Sequence, residues 1–386
     1  MRILEFSDSF IPIMDGVGNV VYQYAMNMGK KGHECYVIAP QTDTGYRGGY
    51  PFELVDYMGV QLSSMKSYTV GVPNLDPHCQ SRLNMISGDI VHVHSPFVAG
   101  QAGLLYASRH NLPTVGTFHS KYRDDFLQAT GITLLADAGT RFVVDFFEKC
   151  TEVWAVSESS AETLREYGFK NEIKVMPNGT DIHPLTDAGV LAANEQFPTP
   201  EGVPLLLYTG QINWKKNLRT TLQACAILAK AHPEKDFRLM LAGQGPHEEE
   251  IKKLAEELGI GEKVIFTGHL TDHDLLNALY ARASLFLFPS LYDTSGLVTR
   301  EAAAMGTPSI VVKGSSAAEG MTDGINGFLC ENDPADLART IEDALSDPKR
   351  LESIGQKAKE TIPIPWSTLV DNVLDEYRNV IRKYHL

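Results

Sequence analysis

The sequence predicts an α/β protein made of two successive Rossmann-like domains, each built on a parallel sheet. Three observations support this fold class. The chain has 386 residues, which is too long for one ordinary core when domains run roughly 100–200 residues. Short β-branched runs alternate with helical periods through its first half. The same alternation then restarts in the second half. With 43% hydrophobic and 21% charged residues, the composition is that of a globular chain, outside the range of disordered or fibrous ones.

The chain enters a strand at residues 3–6, continues into a helix at 19–31, and returns to strands at 34–39, 90–94 and Thr114–Phe118. Such alternation predicts parallel strands joined by helical crossovers. Residues 153–156 and 173–176 read as two more strands of the same sheet, so the first domain is expected to span 1–184. Residues 185–203, rich in Pro, Ala, Asn and Thr and poor in periodic apolar positions, read as a linker. The second domain, 204–365, repeats the pattern with strands at Leu205–Thr209, 239–242, 264–267, Leu285–Phe288 and Ser309–Val312. Leu369, Val373, Tyr377, Val380 and Ile381 give residues 366–386 helical spacing, suited to capping either domain, with a return onto the N-terminal one as the favoured arrangement. Ligands of open parallel sheets bind beyond the carboxyl ends of the strands. With two such sheets facing each other, the cleft between them is the expected site.

A formal net charge of −14 argues against a nucleic-acid partner, which draws on clustered Lys and Arg. Cys35, Cys79, Cys150, Cys225 and Cys330 lie far apart without a Cys-x-x-Cys pair, which gives no zinc or redox motif and suits reduced thiols in the cytoplasm. No stretch approaches the roughly 18 apolar residues of a membrane span. The N-terminal run lacks the apolar core of a secretory signal. A cytoplasmic location is therefore expected, with the sequon Asn178-Gly179-Thr180 unused.

After the first strand the chain runs Met14-Asp15-Gly16-Val17-Gly18-Asn19 into a helix, offering either a phosphate contact at a helix start or a purely structural turn. Dinucleotide binding would need an acid at the end of the second strand, where the chain has Ile38-Ala39-Pro40. A similar turn, Ala242-Gly243-Gln244-Gly245-Pro246, is either a tight βα loop or a ligand contact. Asp272-His273-Asp274 mimics a metal-binding Asp-x-Asp, but its place before an apolar-periodic segment marks a helix cap. His92 and His94 share one face of a strand, yet no third metal ligand is evident.

The most informative segment is Phe288-Pro289-Ser290-Leu291-Tyr292-Asp293-Thr294-Ser295-Gly296-Leu297-Val298-Thr299-Arg300-Glu301, continuing to Gly306-Thr307-Pro308. A buried strand ends, a Thr-Ser-Gly turn opens a helix near Leu297, and two acids stand eight positions apart. Unpaired amides at that helix start suit a diphosphate, and Glu301 suits ribose hydroxyls.

This segment resembles the retaining GT-B glycosyltransferases of family 4, whose signature is Glu-x7-Glu followed by a helix and Gly-Thr-Pro. The resemblance extends through Val91-His92-Val93-His94, Thr117-Phe118-His119-Ser120, Val156-Ser157-Glu158, Pro177-Asn178-Gly179-Thr180 and Gly210-Gln211-Ile212-Asn213-Trp214-Lys215-Lys216-Asn217. The Thr-Phe-His-Ser segment is also similar to that of bacterial enzymes that glucosylate diacylglycerol. The resemblance implies that Lys216 binds the donor diphosphate, the backbone of Leu297 and Val298 holds its oxygens, and Glu301 binds the ribose. Asp293 and His119 would face the transferred sugar, while Gly16, Gly18, Gln211 and Gly243 would line the donor. Two positions depart from the family. Gln211 replaces an Arg and removes a fixed charge beside the leaving group, for which Lys215 is a candidate substitute. Asp293 replaces a Glu and is one methylene shorter.

The implied activity is retaining, metal-independent transfer of a hexose, with glucose from UDP-glucose as the leading choice, to a lipid or glycan acceptor and with no cofactor. Two alternatives stay open: a two-domain nucleotide-sugar epimerase, and a low-activity glycosyltransferase-like subunit acting with a catalytic partner. A lipid acceptor would call for peripheral contact with the inner face of the membrane, with Lys121, Tyr122 and Arg123 as candidate contacts.

Overall fold

The computed structural model describes residues 1–11, 15–41, 48–61 and 69–386. They divide into two compact units, Met1–Gly179 with Trp366–Leu386, and Thr180–Pro365.

The first unit runs β1 (Arg2–Phe6), α1 (Gly16–Lys30), β2 (Glu34–Pro40), β3 (Glu53–Tyr57), β4 (Gly59–Gln61), β5 (Thr69–Gly71), α2 (Pro77–Leu83), β6 (Ile90–Val93), α3 (Val98–His110), β7 (Thr114–Phe118), α4 (Tyr122–Thr130), α5 (Thr133–Phe147), β8 (Glu152–Ala155), α6 (Glu158–Glu166) and β9 (Lys174–Val175). Seven strands form a parallel sheet in the order β3-β2-β1-β6-β7-β8-β9, with β4 and β5 as a separate antiparallel pair. Helices cover both faces, so the central strands are buried throughout and read as continuous apolar runs. On one face Leu4, Phe6, Val91 and Val93 pack under α3 and α5. On the opposite face Glu5 and His92 stand in register on neighbouring strands.

The second unit runs α7 (Asp187–Gln196), β10 (Leu205–Thr209), α8 (Leu218–Ala231), β11 (Arg238–Ala242), α9 (Glu248–Glu257), β12 (Val264–Gly268), α10 (His273–Arg282), β13 (Leu285–Phe288), α11 (Leu297–Ala304), β14 (Ser309–Val312), β15 (Phe328–Cys330), α12 (Pro334–Ser346) and α13 (Pro348–Thr361). Its six parallel strands lie in the order β12-β11-β10-β13-β14-β15. The final helix, α14 (Trp366–Tyr384), belongs to the first unit. It buries Trp366, Leu369, Val373 and Tyr377, with the Tyr377 ring stacked on Trp154 at 5.5 Å.

The stretch expected as a linker departs from expectation. Residues 187–196 form α7, capped by Thr186 Oγ1, which accepts from the Gly189 amide at 3.1 Å. Gly189 lets α7 approach α10 so closely that a Cβ there would lie 2.4 Å from the Asp274 carbonyl oxygen. Arg282 also donates to the Ala193 carbonyl at 3.0 Å. A packing face of Gly and Ala leaves no large apolar residues from which periodicity can be read.

Candidate active site

In each unit the strand order reverses at one point, between β1 and β6 in the first and between β10 and β13 in the second. The carboxyl ends of those strands are where an open parallel sheet presents ligand-binding loops. The predicted site residues of the second unit lie on the loops leaving β10 and β13 and in the first turns of α11, except Gly243, which follows β11.

The β10 loop is built by asparagines. Asn213 Oδ1 accepts from the Lys215 amide at 3.0 Å and starts a single 3-10 turn, which Asn217 ends in the left-handed region at φ +60°. Asn217 Nδ2 donates to the Pro289 carbonyl at 2.9 Å and to Asn332 Oδ1 at 2.8 Å, fastening this loop to the end of β13. Lys216 is thereby directed at Asp293, with its Nζ 2.5 Å from Oδ1 and both side chains mostly shielded. Lys215 lies over the Tyr292 ring, 4.4 Å from its centroid. Ser316 Oγ donates to the Asp293 carbonyl. Asp293 Oδ2 is buried and has no hydrogen-bond partner among the described residues. A buried carboxylate oxygen is costly to leave unpaired, so it marks a place where a ligand hydroxyl would be gained.

Three residues beyond Asp293, Gly296 opens α11 at φ +55°. A Cβ there would meet Ala317 Cα at 2.8 Å, so glycine is required on both conformational and steric grounds. The N-cap of α11 is Gly296, with no side-chain cap hydrogen bond among the described residues, whereas Asp272, Asp333 and Asp347 cap α10, α12 and α13. The amides of Leu297 and Val298 therefore carry the positive end of the helix with no capping carboxylate among the described residues. One turn further on, Tyr280 donates to Glu301 Oε2 at 2.9 Å and shares a 2.6 Å hydrogen bond with Thr209 Oγ1. Burial raises the Glu301 carboxyl above the usual range, and the Tyr280 hydrogen bond opposes that rise. Lys216, Asp293, Leu297, Val298 and Glu301 thus come together within one unit.

Other predicted residues behave differently. The Gly243 backbone is pressed on the β10 loop, where a Cβ would lie 1.8 Å from the Gly210 carbonyl oxygen, and its amide donates to Gly268 at 3.0 Å. That close approach accounts for the glycine in structural terms. The Gln211 carbonyl accepts from Tyr208 at 2.9 Å and its side chain is exposed. In the first unit the start of α1 is not bare: Asp15 Oδ1 accepts from the Gly18 amide at 2.7 Å. A carboxylate already occupies that helix start and opposes a phosphate there. Gly16 is exposed with open space around it, and Met14 of the same loop lies outside the described residues. Asp272 caps α10, accepting from the Asp274 amide at 2.9 Å, in keeping with its reading as a cap. Asn178 is buried, which is incompatible with use as a glycosylation acceptor. Tyr122 is also buried and so is not an exposed membrane contact, while Arg123 pairs with Asp137 at 2.9 Å.

His119 follows β7, is almost fully buried, and lies with its Nε2 3.1 Å from His94 Nδ1. Here the third partner missing from the sequence reading of His92 and His94 emerges as Glu5. Its Oε2 lies 2.6 Å from His94 Nε2 and 3.5 Å from His92 Nδ1. The three ligand atoms fall within 4.8 Å of one another. Burial pushes the Glu5 carboxyl up to about 8, opposed by a hydrogen bond from Tyr377, and drives His94 down to about 3. His119 is likewise held well below its ordinary value by burial and by His94. An acid in an otherwise apolar central strand was the available signal for Glu5. Tyr280 and Tyr377 gave none, because each falls on a regular helical core position.

Two family models divide the chain between them: "Glycosyltransferase Family 4" over residues 14–183 and "Glycosyl transferases group 1" over residues 192–361. A GDP-mannose-dependent alpha-mannosyltransferase of Corynebacterium glutamicum is 26% identical over 99% of this chain and 89% of its own length. An alpha-monoglucosyldiacylglycerol synthase of Streptococcus pneumoniae is 26% identical over 89% of this chain and 78% of its own. Among solved structures, a sucrose-phosphate synthase from Thermosynechococcus elongatus superposes with a TM-score of 0.82 at 20% identity, covering 99% of this chain and all of the other. The Anabaena protein HepE, solved with UDP and glucose, gives 0.74 at 19% identity over 98% and 99%. With both halves matched and the fold shared end to end, the chain belongs to the family 4 glycosyltransferases of the GT-B fold.

Proposed function

We propose that the protein is a retaining, metal-independent hexosyltransferase that moves glucose from UDP-glucose to a hydroxyl of a lipid or glycan acceptor. The observation that carries this reading is the Lys216–Asp293 pair beside the glycine N-cap of α11, with Asp293 Oδ2 buried and unpartnered among the described residues. Lys216 and the amides of Leu297 and Val298 hold the diphosphate, supplying the positive charge a departing phosphate needs. Glu301, oriented through Oε2 by Tyr280, receives the ribose hydroxyls, and Asp293 Oδ2 accepts from a hydroxyl of the sugar. His119 serves the transferred sugar. Lys215 supplies charge where Gln211 does not. In the transfer, the bond between the anomeric carbon and the phosphate oxygen breaks while the acceptor oxygen bonds to the same face of that carbon. The acceptor's proton passes to the departing phosphate, so no protein nucleophile takes part.

The pneumococcal relative is named for a lipid product, which supports a lipid acceptor, and the corynebacterial one for GDP-mannose, which makes GDP-mannose the competing donor. Among the described residues no helix is long and apolar enough to cross a membrane. Ile132, Leu134 and Leu135, exposed at the start of α5, take the place of the buried Tyr122 as the apolar peripheral contact of a bacterial, cytoplasmic enzyme with the inner face of its membrane. The test is a nucleotide-sugar panel incubated with crude bacterial lipid and polysaccharide and read by mass spectrometry. UDP release coupled to a product one hexose heavier, with α configuration, is the expected result. Failure of UDP and GDP alike to bind in calorimetry would overturn the reading.

A further inference from the structure

The first unit holds a cavity of about 590 Å³ at the amino ends of β8 and β9, within the roughly 300–1,000 Å³ of small-molecule sites. Ligand-binding loops of parallel sheets leave the opposite, carboxyl ends of the strands, so this cavity stands apart from the proposed transfer. Glu152 and Lys174, the first residues of the two strands, line it together with Glu376 and Lys383 of α14. Lys174 pairs with Glu376, whose Oε2 also accepts from Asn379 Nδ2 at 3.1 Å. The second pair is open. Lys383 Nζ lies 4.0 Å from Glu152 Oε2, beyond hydrogen-bond reach, with 66% of the lysine side chain exposed. Glu152 is fixed through its other oxygen, since Oε1 accepts from the Trp154 indole at 2.6 Å. Burial raises the Glu152 carboxyl, the indole opposes that rise, and Glu376 adds to it. Oε2 is thus an anionic oxygen on a largely shielded side chain, with no hydrogen bond among the described residues. Phe169 and Val380, both buried, give the cavity an apolar wall.

We propose that this cavity is a binding site for a small zwitterion, an α-amino acid with an apolar side chain. The ligand's ammonium donates to Glu152 Oε2, its carboxylate accepts from Lys383, and its side chain lies on Phe169 and Val380. The charges lining the cavity require both charged ends. Glu152 and Glu376 balance Lys174 and Lys383, so a ligand with an ammonium alone would take Glu152 and leave Lys383 without a counterion. A ligand with a carboxylate alone, or a phosphate, would draw Lys383 away and leave Glu152 shielded and uncompensated, with Glu172 on the same lining as a further negative charge. A zwitterion exchanges one loose ion pair for two charge-assisted hydrogen bonds and leaves the net charge of the site unchanged. Glu152 opens β8 and Lys383 stands in the last turn of α14. The bound ligand therefore ties the C-terminal helix to the sheet, and it should raise the unfolding temperature of the protein.

Calorimetric titration of the full-length protein with leucine and with phenylalanine tests this, alongside leucinamide and N-acetylleucine, which keep one charged end each. Saturable one-to-one binding of at least one of the two amino acids is expected. Both single-charge probes should bind at least about tenfold more weakly, the scale of one hydrogen bond to a charged group. Glu152→Gln keeps an acceptor for Trp154 and loses the charge, and Lys383→Met keeps the apolar stem. Each should weaken the amino acid by about tenfold or more and leave UDP affinity unchanged. Lys383 is exposed, so its variant decides alone if Glu152→Gln does not fold. No saturable binding of either amino acid at millimolar concentration, a single-charge probe within about threefold of the amino acid, or undiminished binding by Lys383→Met would overturn the proposal.

Discussion

Replacing Lys216 by Ala and Asp293 by Asn should move nucleotide affinity in opposite directions. In the resting protein the Lys216 ammonium is held 2.5 Å from the Asp293 carboxylate, and their side chains are 16% and 20% exposed. A hydrogen bond to a charged group is worth about 1.5–3 kcal/mol, so Lys216→Ala should weaken UDP by roughly 10- to 100-fold. It should also slow transfer by about 100-fold or more, the scale for losing one preorganised group that stabilises developing charge. Asp293→Asn leaves the ammonium in place and removes the anion that competes with the phosphates. Relief of that repulsion, about 1 kcal/mol in a partly solvated site, should tighten UDP roughly fivefold. Transfer should nevertheless slow, because an amide accepts a sugar hydroxyl less strongly than the carboxylate oxygen now unpartnered at Oδ2. Calorimetric titration of UDP and initial rates of UDP release measure both quantities. A fall in turnover under about threefold for Lys216→Ala, or weaker UDP binding by Asp293→Asn, would refute the assignment of the pair to the diphosphate.

Three further outcomes follow from named geometry. Glu5 is raised in the fold from 4.5 to about 8, so its contribution to stability is complete below about pH 4.5 and is lost as pH rises through 8. Its slope approaches 1.4 kcal/mol per pH unit, and Glu5→Gln should abolish that fall between about pH 6.5 and 8. Urea unfolding read from Trp154 and Trp366 in a Trp214→Phe background reports on the first unit, and equal slopes in the two proteins would exclude the effect. The second outcome concerns glycine. Gly296 and Gly306 both sit at positive φ, but only Gly296 has a neighbour that an added Cβ would strike. Gly296→Ala should therefore cost at least about 1 kcal/mol more than Gly306→Ala and should also weaken UDP binding, as measured by unfolding and titration. Third, the paired change of Leu134 and Leu135 to Glu should leave UDP affinity unaltered and abolish flotation with anionic liposomes. Wild-type protein that does not float removes the membrane contact from the proposal.

The sequence by itself determined what depends on neighbours along the chain. Buried parallel strands announce themselves as apolar runs such as Leu285–Phe288. Caps such as Asp272 stand directly before the helices they start, and the spacing of Asp293, Gly296 and Glu301 is set within one strand–turn–helix unit. Lys216, 77 positions before Asp293 in the chain, was reachable only through the family resemblance; the fold supplies its reason, since β10 and β13 are adjacent strands. Only the tertiary structure decided the rest. Residues 187–196 were not legible as a helix, because a face made of Gly189 and Ala193 packs by close backbone approach and leaves no hydrophobic period. Tyr122, which reads as an amphipathic surface residue, is buried by ring contacts with Phe118 and Phe126. Glu5 stood out as an acid in an apolar strand, but its pairing with His92 and His94 comes from the register of β1 against β6, fixed by pairing across the sheet. Periodicity, caps and turns are properties of a few adjacent residues, whereas strand order and register depend on how all the strands bury their faces together.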